Sequence, residues 1–125
     1  MNKFLVLAVA AAAMAGAWPN AVPAQQSQFT MQFRSQWHSP LQLAFYSRSR
    51  NFAWPGGDGG YTLNPGRQDF TLNCQAGEQI CWGAWEADDR SSYWGTGYGG
   101  RENCPEGHCC FTCNGGSSGV QVLED

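Results

Sequence analysis

The chain has 125 residues, a formal net charge of −3 at pH 7, 16 glycines, six cysteines and 17 aromatic residues. That length holds one domain and not two. The acidic balance excludes nucleic acid and anionic lipid as electrostatic partners, because both require a basic patch.

Lys3 gives a short positive start, and residues 4–17 form an apolar run rich in alanine. Trp18-Pro19-Asn20 breaks that run, and Ala21-Val22-Pro23-Ala24 offers small residues for cleavage after Ala24. Residues 1–24 therefore read as a signal peptide. The run of about 14 apolar residues is too short to span ~30 Å of hydrocarbon. No cysteine follows it to take a lipid, no Arg-Arg pair precedes it, and no later segment is apolar enough to stop transfer. The expectation is a secreted or periplasmic product with no membrane insertion after cleavage. Residues 25–125 then form the mature domain, with six arginines against ten acids.

Residues 25–28 are a polar leader. Phe29-Thr30-Met31-Gln32-Phe33 alternates apolar and polar, the period of a half-buried strand. Leu41-Gln42-Leu43-Ala44-Phe45 repeats the pattern after a Ser39-Pro40 turn. Residues 47–51 are polar and, if extended, put Arg48 and Arg50 on one side. Residues 54–60 hold a proline and four glycines and predict a loop. Asn64-Pro65-Gly66 has type II turn composition, so Tyr61-Thr62-Leu63 and Phe70-Thr71-Leu72 are expected to pair as a hairpin.

Gln75-Ala76-Gly77-Glu78 predicts a second tight turn, leading into Ile80-Cys81-Trp82-Gly83-Ala84-Trp85. Trp82 and Trp85 take opposite sides of that strand, so one is expected to be less buried. Residues 86–92 read as a polar loop, Tyr93-Trp94-Gly95-Thr96-Gly97-Tyr98 as strand-like and residues 99–107 as loop. Residues 109–113 read as strand or disulfide-held coil, and Val120-Gln121-Val122-Leu123 as a last strand. Turn signals every ~8–12 residues with no 3.6-residue period predict an all-β class. The expected architecture is a small disulfide-stapled β-sandwich or barrel-like domain, with little or no helix after the signal peptide.

Cys74, Cys81, Cys104, Cys109, Cys110 and Cys113 are an even set in an exported chain, which predicts three disulfides. The spacing does not choose the pairing. Adjacent Cys109 and Cys110 point to opposite faces if extended, so they are expected to bond different partners. Cys104 and Cys109 are close enough for the cluster to close a short loop on itself. Cys74 and Cys81 either bridge their own turn or anchor the cluster. The competing use is a metal site built from Cys104, His108, Cys109, Cys110 and Cys113. Exported thiols oxidise, so no metal and no cofactor are expected.

Cys81-Trp82 with His108 downstream is superficially similar to a cysteine nucleophile with a distant base. Papain-like enzymes seat that cysteine at a helix N-terminus, whereas the residues around Cys81 look extended. Glu86, Asp88 and Asp89 sit in a polar segment, where solvated charges explain them better than a glycosidase pair. No catalytic residue is assigned.

The aromatic residues serve chiefly as core in a small β domain. Trp54, in its Pro-Gly loop, and Tyr93, Trp94 and Tyr98 are the rings expected to be exposed. With Arg48 and Asp58 nearby, Trp54, Trp94 and Tyr98 compose the expected ligand-binding set, fit for stacking on sugar rings or anchoring a protein interface.

From Leu43 to Gly115 the chain resembles a group of short exported cysteine-rich bacterial proteins. The resemblance rests on Trp54-Pro55-Gly56-Gly57, on the block from Gly77-Glu78-Gln79 through Ile80-Cys81-Trp82-Gly83-Ala84-Trp85, on Tyr93-Trp94-Gly95, and on the cluster Cys104, Cys109-Cys110, Cys113. It implies export and disulfides and carries no activity. Leu63-Asn64-Pro65-Gly66 and the glycine-rich strands are similar to thaumatin-type β-sandwiches, and nothing is transferred from that likeness.

The expected function is an exported non-catalytic binding protein at the cell envelope or outside the cell, with an extracellular or envelope glycan or protein as ligand. The alternatives are a small secreted hydrolase using Cys81 or an acid near Asp88, and a secreted inhibitor or effector.

Overall fold

The computed structural model describes residues 25–104 and 107–124. The signal peptide expected over residues 1–24 lies outside them. Among the described residues, nine strands form two sheets: β1 (Gln26–Ser35), β2 (Leu41–Ser47), β3 (Ala53–Trp54), β4 (Tyr61–Leu63), β5 (Gly66–Gln75), β6 (Gln79–Glu86), β7 (Asp89–Gly95), β8 (Cys110–Thr112) and β9 (Ser117–Leu123). One sheet has the order β5-β1-β9 and the other runs β3-β2-β6-β7, with β4 added to β2 and β8 to β6. A 3-10 turn at Tyr98–Gly100 lies between β7 and β8. The domain is all-β and disulfide-stapled, as expected.

Strand β1 follows its sequence period. Phe29, Met31, Phe33 and Ser35 are buried while Gln28 and Arg34 face solvent. It pairs antiparallel with β5 over its whole length, from Gln26 opposite Gln75 to Ser35 opposite Gly66, and parallel with β9. The inward rings meet the second sheet across the core: Phe33 lies 5.2 Å edge-on to Trp82 and 6.1 Å from Phe45. Leu41, Leu43, Leu63, Ile80 and Leu123 complete this fully buried layer. Burying each such side chain contributes about 1.5–3 kcal/mol.

The hairpin expected at Asn64-Pro65-Gly66 does not form. Tyr61-Thr62-Leu63 pairs with β2, whereas Phe70-Thr71-Leu72 pairs with β1, so the turn carries the chain from one sheet to the other. Gln68 supplies part of what a hairpin ladder would supply: its side chain accepts from Asn64 N–H at 3.1 Å and donates to Thr62 C=O at 3.2 Å. The turn at 75–78 forms as expected and likewise crosses between sheets. The loop expected over 86–92 is instead a short turn, with β7 beginning at Asp89 and pairing with β6.

Trp82 and Trp85 are both buried, at 6 % and 3 % exposure, so the difference in burial expected between them is small. Trp82 faces the core between the sheets. Trp85 faces the other way, where the ring of Tyr98 covers it at 5.1 Å. Gly83 lies on that outer face, and a Cβ there would run into the backbone carbonyl of Gly97. The glycine between two tryptophan-flanked positions thus lets the segment before the 3-10 turn lie directly on the sheet.

All six cysteines are paired: Cys74–Cys113, Cys81–Cys110 and Cys104–Cys109. Cys109 and Cys110 do bond different partners, and Cys104–Cys109 closes the short loop. Cys74 sits on β5 of one sheet and Cys113 follows β8 of the other, so this bond ties the two layers. Cys81 and Cys110 are directly opposed in the β6–β8 ladder.

Candidate functional site

The polar stretch after β2 does not stay extended. Ser47 Oγ accepts from Ser49 and Arg50 N–H at 3.2 and 3.1 Å, which bends the chain and sends the two arginines to different partners. Arg50 grips Glu78 through Nε at 2.5 Å and Nη2 at 3.1 Å. Arg48 donates through Nε to Cys81 Sγ at 3.3 Å and through Nη2 to Gly100 C=O at 3.2 Å. The expectation of one shared arginine face is therefore corrected.

The Glu78 side chain is only 1 % exposed. Burial pushes its pKa up, but hydrogen bonds from Arg50, Gln75 N–H and Ser47, together with the Arg50 charge, outweigh that and hold it below the ordinary carboxylate value. Arg50 also lies 4.3 Å over the Phe52 ring and 5.8 Å from Trp54. This ion pair fixes the bend from which Phe52 projects.

A cleft of about 570 Å³ opens beside the bend. Tyr46, Ser47 and Arg48 line one side, Asn51, Phe52 and Ala53 the next, and the Pro55-Gly56-Gly57 segment and Gly99 close it. Gly56 and Gly57 have φ of +108° and +62°, conformations that L side chains rarely adopt, so this wall is bare backbone. Gly99 N–H donates to Tyr46 Oη at 2.9 Å. Burial raises the Tyr46 pKa, the bond from Gly99 lowers it and the neighbouring Tyr98 raises it, with a net rise. The phenol therefore stays protonated at neutral pH and keeps its own proton to donate.

Trp54, expected to be an exposed anchor, is 8 % exposed. It packs edge-on to Phe52 at 4.9 Å and donates its Nε1–H to Asn73 C=O at 3.0 Å. The short strand β3 turns that ring toward the core, and its neighbours Ala53 and Pro55 reach the cleft instead. Asp58 is exposed at the tip of the glycine loop and does not line the cleft.

Trp94 belongs to a second hollow of about 450 Å³, with Trp37, Ser91, Ser92, Tyr93 and Glu124. Its Nε1–H donates to Glu124 C=O at 2.7 Å, and its ring meets Trp37 at 5.0 Å. Trp37 in turn donates to Glu86 Oε1 at 3.1 Å. Tyr98 lines neither hollow: Arg90 lies 3.8 Å over its ring, and it serves as the cover of Trp85.

Of the residues expected to bind, only Arg48 reaches the cleft beside the bend, and Trp94 reaches the second hollow. Tyr46, Asn51 and Phe52 were missed. Phe52, 45 % exposed in an otherwise polar stretch, was the one legible signal among them.

The three disulfides fit an oxidising, non-cytoplasmic setting. Among the described residues no helix is long and apolar enough to cross a membrane, and no cluster of three metal-ligating side chains occurs. No family model matches the chain, and no curated protein and no solved structure matches it significantly.

Proposed function

We propose that the protein is an exported, non-catalytic binding protein acting at the cell envelope or outside the cell, with a glycan as its ligand at the cleft beside the bend after β2. The observation that carries this reading is the composition of that cleft. An exposed aromatic ring, Phe52, stands beside the hydrogen-bonding side chains of Tyr46, Arg48 and Asn51 and a glycine backbone that a ligand approaches without meeting a Cβ. Concave sites with an apolar surface and a few placed polar groups are the usual form of a small-ligand site. The hydrolase alternative loses its nucleophile here, since Cys81 is held in a disulfide, and Asp88 lies exposed at the β6–β7 turn.

A protein ligand is favoured at the second hollow. Strand β7 is the last strand on its side of the sheet, and Tyr93 on it is 43 % exposed. An open edge beside aromatic rings is a surface to which an extended segment of a partner adds.

Glycan-array binding by the oxidised chain tests the first reading, with Phe52→Ala and Asn51→Ala as variants. Sugar capture that both variants weaken, at unchanged thermal stability, supports it. Capture that only Tyr93→Ala abolishes moves the ligand to the β7 edge.

A further inference from the structure

The cleft beside the bend keeps several hydrogen-bond donors unused by the protein. Tyr46 Oη already accepts from Gly99, so its remaining capacity includes its own proton as donor. Arg48 uses Nε and Nη2 on the protein and leaves Nη1 for a ligand. Asn51 is exposed, and its amide makes no hydrogen bond among the described residues. The acceptor at Ser47 is already occupied, because Oγ takes Ser49 and Arg50 N–H and the hydroxyl serves Glu78. Gly56 C=O is likewise occupied by Gly59 N–H at 3.4 Å.

Among the described residues lining the cleft, Arg48 is the single charged side chain; at the margins Arg101 sits beside Gly99 and Asp58 follows Gly57, so their charges offset. Arg50 is neutralised by Glu78, so it adds no net charge. In a chain with a net charge of −3, this cleft is a local positive site presenting donors to an incoming group. Two protein acceptors hold the guanidinium in place, so little freedom is lost when a ligand arrives.

We infer that the ligand is an acidic sugar, a saccharide unit bearing a carboxylate. The carboxylate meets Arg48 Nη1 and the Tyr46 O–H, the Asn51 amide reaches a ring hydroxyl, and the apolar face of the sugar lies on Phe52. This inference rests on the glycan reading above and narrows it to one class of glycan. A free peptide C-terminus has the same carboxylate but brings no hydroxyl-rich ring for Phe52 and Asn51, so the sugar is favoured.

Calorimetric titration of the oxidised full chain with a uronic-acid oligosaccharide, its methyl ester and the corresponding neutral oligosaccharide tests the inference. The acid form is expected to bind about tenfold or more tightly than the ester, since a charge-assisted hydrogen bond is exchanged for a neutral one. Arg48→Gln should abolish that preference, and Tyr46→Phe should reduce it. Asn51→Ala, at an exposed position, should weaken the acid and the neutral sugar alike and keeps the test valid if Arg48→Gln fails to fold. Equal binding of acid, ester and neutral sugar overturns the acidic-sugar inference and leaves the glycan reading standing. No binding of any sugar overturns both. Arg48-dependent capture of a peptide carboxylate, with uronate ignored, also overturns both and assigns the cleft to protein termini.

Discussion

The guanidinium of Arg50 and the carboxylate of Glu78 lie 28 residues apart in sequence and meet in a two-point contact, Nε to Oε2 and Nη2 to Oε1. The pair joins the bend after β2 to the turn before β6, and Phe52 stacks on its guanidinium. Glu78 is nearly sealed from solvent while Arg50 is about one-third exposed, with a side-chain exposure of 34 %. The cleft that Phe52 lines is therefore built upon an ion pair whose acidic half has no water to fall back on.

Acid should loosen this arrangement. Because the folded Glu78 pKa lies below its ordinary value of 4.5, the folded protein binds fewer protons than the unfolded chain between the two values. The stabilisation is complete above the ordinary value and is lost as pH falls through the folded one. Thermal melts of wild type and Glu78→Gln should thus differ most near neutrality and converge in strong acid. A constant difference across that range would remove Glu78 as the titrating group.

Gly83→Ala should destabilise the domain by about 1–3 kcal/mol, because the added methyl meets the backbone carbonyl of Gly97 rather than a movable side chain. Urea unfolding followed by tryptophan fluorescence measures this. An unchanged midpoint would show that the segment at Gly97 moves away at little cost.

Trp54→Ala and Phe52→Ala should part company. The buried Trp54 predicts a loss of about 3–5 kcal/mol in stability. The exposed Phe52 predicts weaker sugar binding with a melting temperature near wild type. Stability lost through Phe52 and retained without Trp54 would exchange their roles.

Intact-mass measurement should show a gain of six hydrogens on full reduction, since three disulfides account for all six cysteines. Removing the bonds as paired alanine variants should rank by the loop each closes. In the chain-entropy account, Cys74–Cys113, with a separation of 39, is worth about 4 kcal/mol, and Cys104–Cys109, with a separation of 5, about 2 kcal/mol. Peptide mapping that finds Cys109 joined to any cysteine but Cys104 would contradict the pairing itself.

Much of this was written locally. The alternation at Phe29, Met31 and Phe33 and at Leu41, Leu43 and Phe45 determined two core strands, because a period of two puts one set of side chains on one face whatever lies opposite. Proline and glycine determined a loop over 55–60, although Trp54, expected in it, closes strand β3, and an even cysteine count determined that none would stay free. Partners were another matter. The composition of Asn64-Pro65-Gly66 specifies a bend but is silent on which sheet each arm joins, and here the arms join different sheets. Burial of Trp85 depended on Tyr98 folding back over the sheet, and burial of Trp54 on which way a two-residue strand turned its side chain. The cleft itself depended on Arg50 finding Glu78 and on Gly99 and Gly100 holding Tyr46 and Arg48. Those are contacts between residues far apart in the chain, and only tertiary packing brings their atoms within hydrogen-bonding distance.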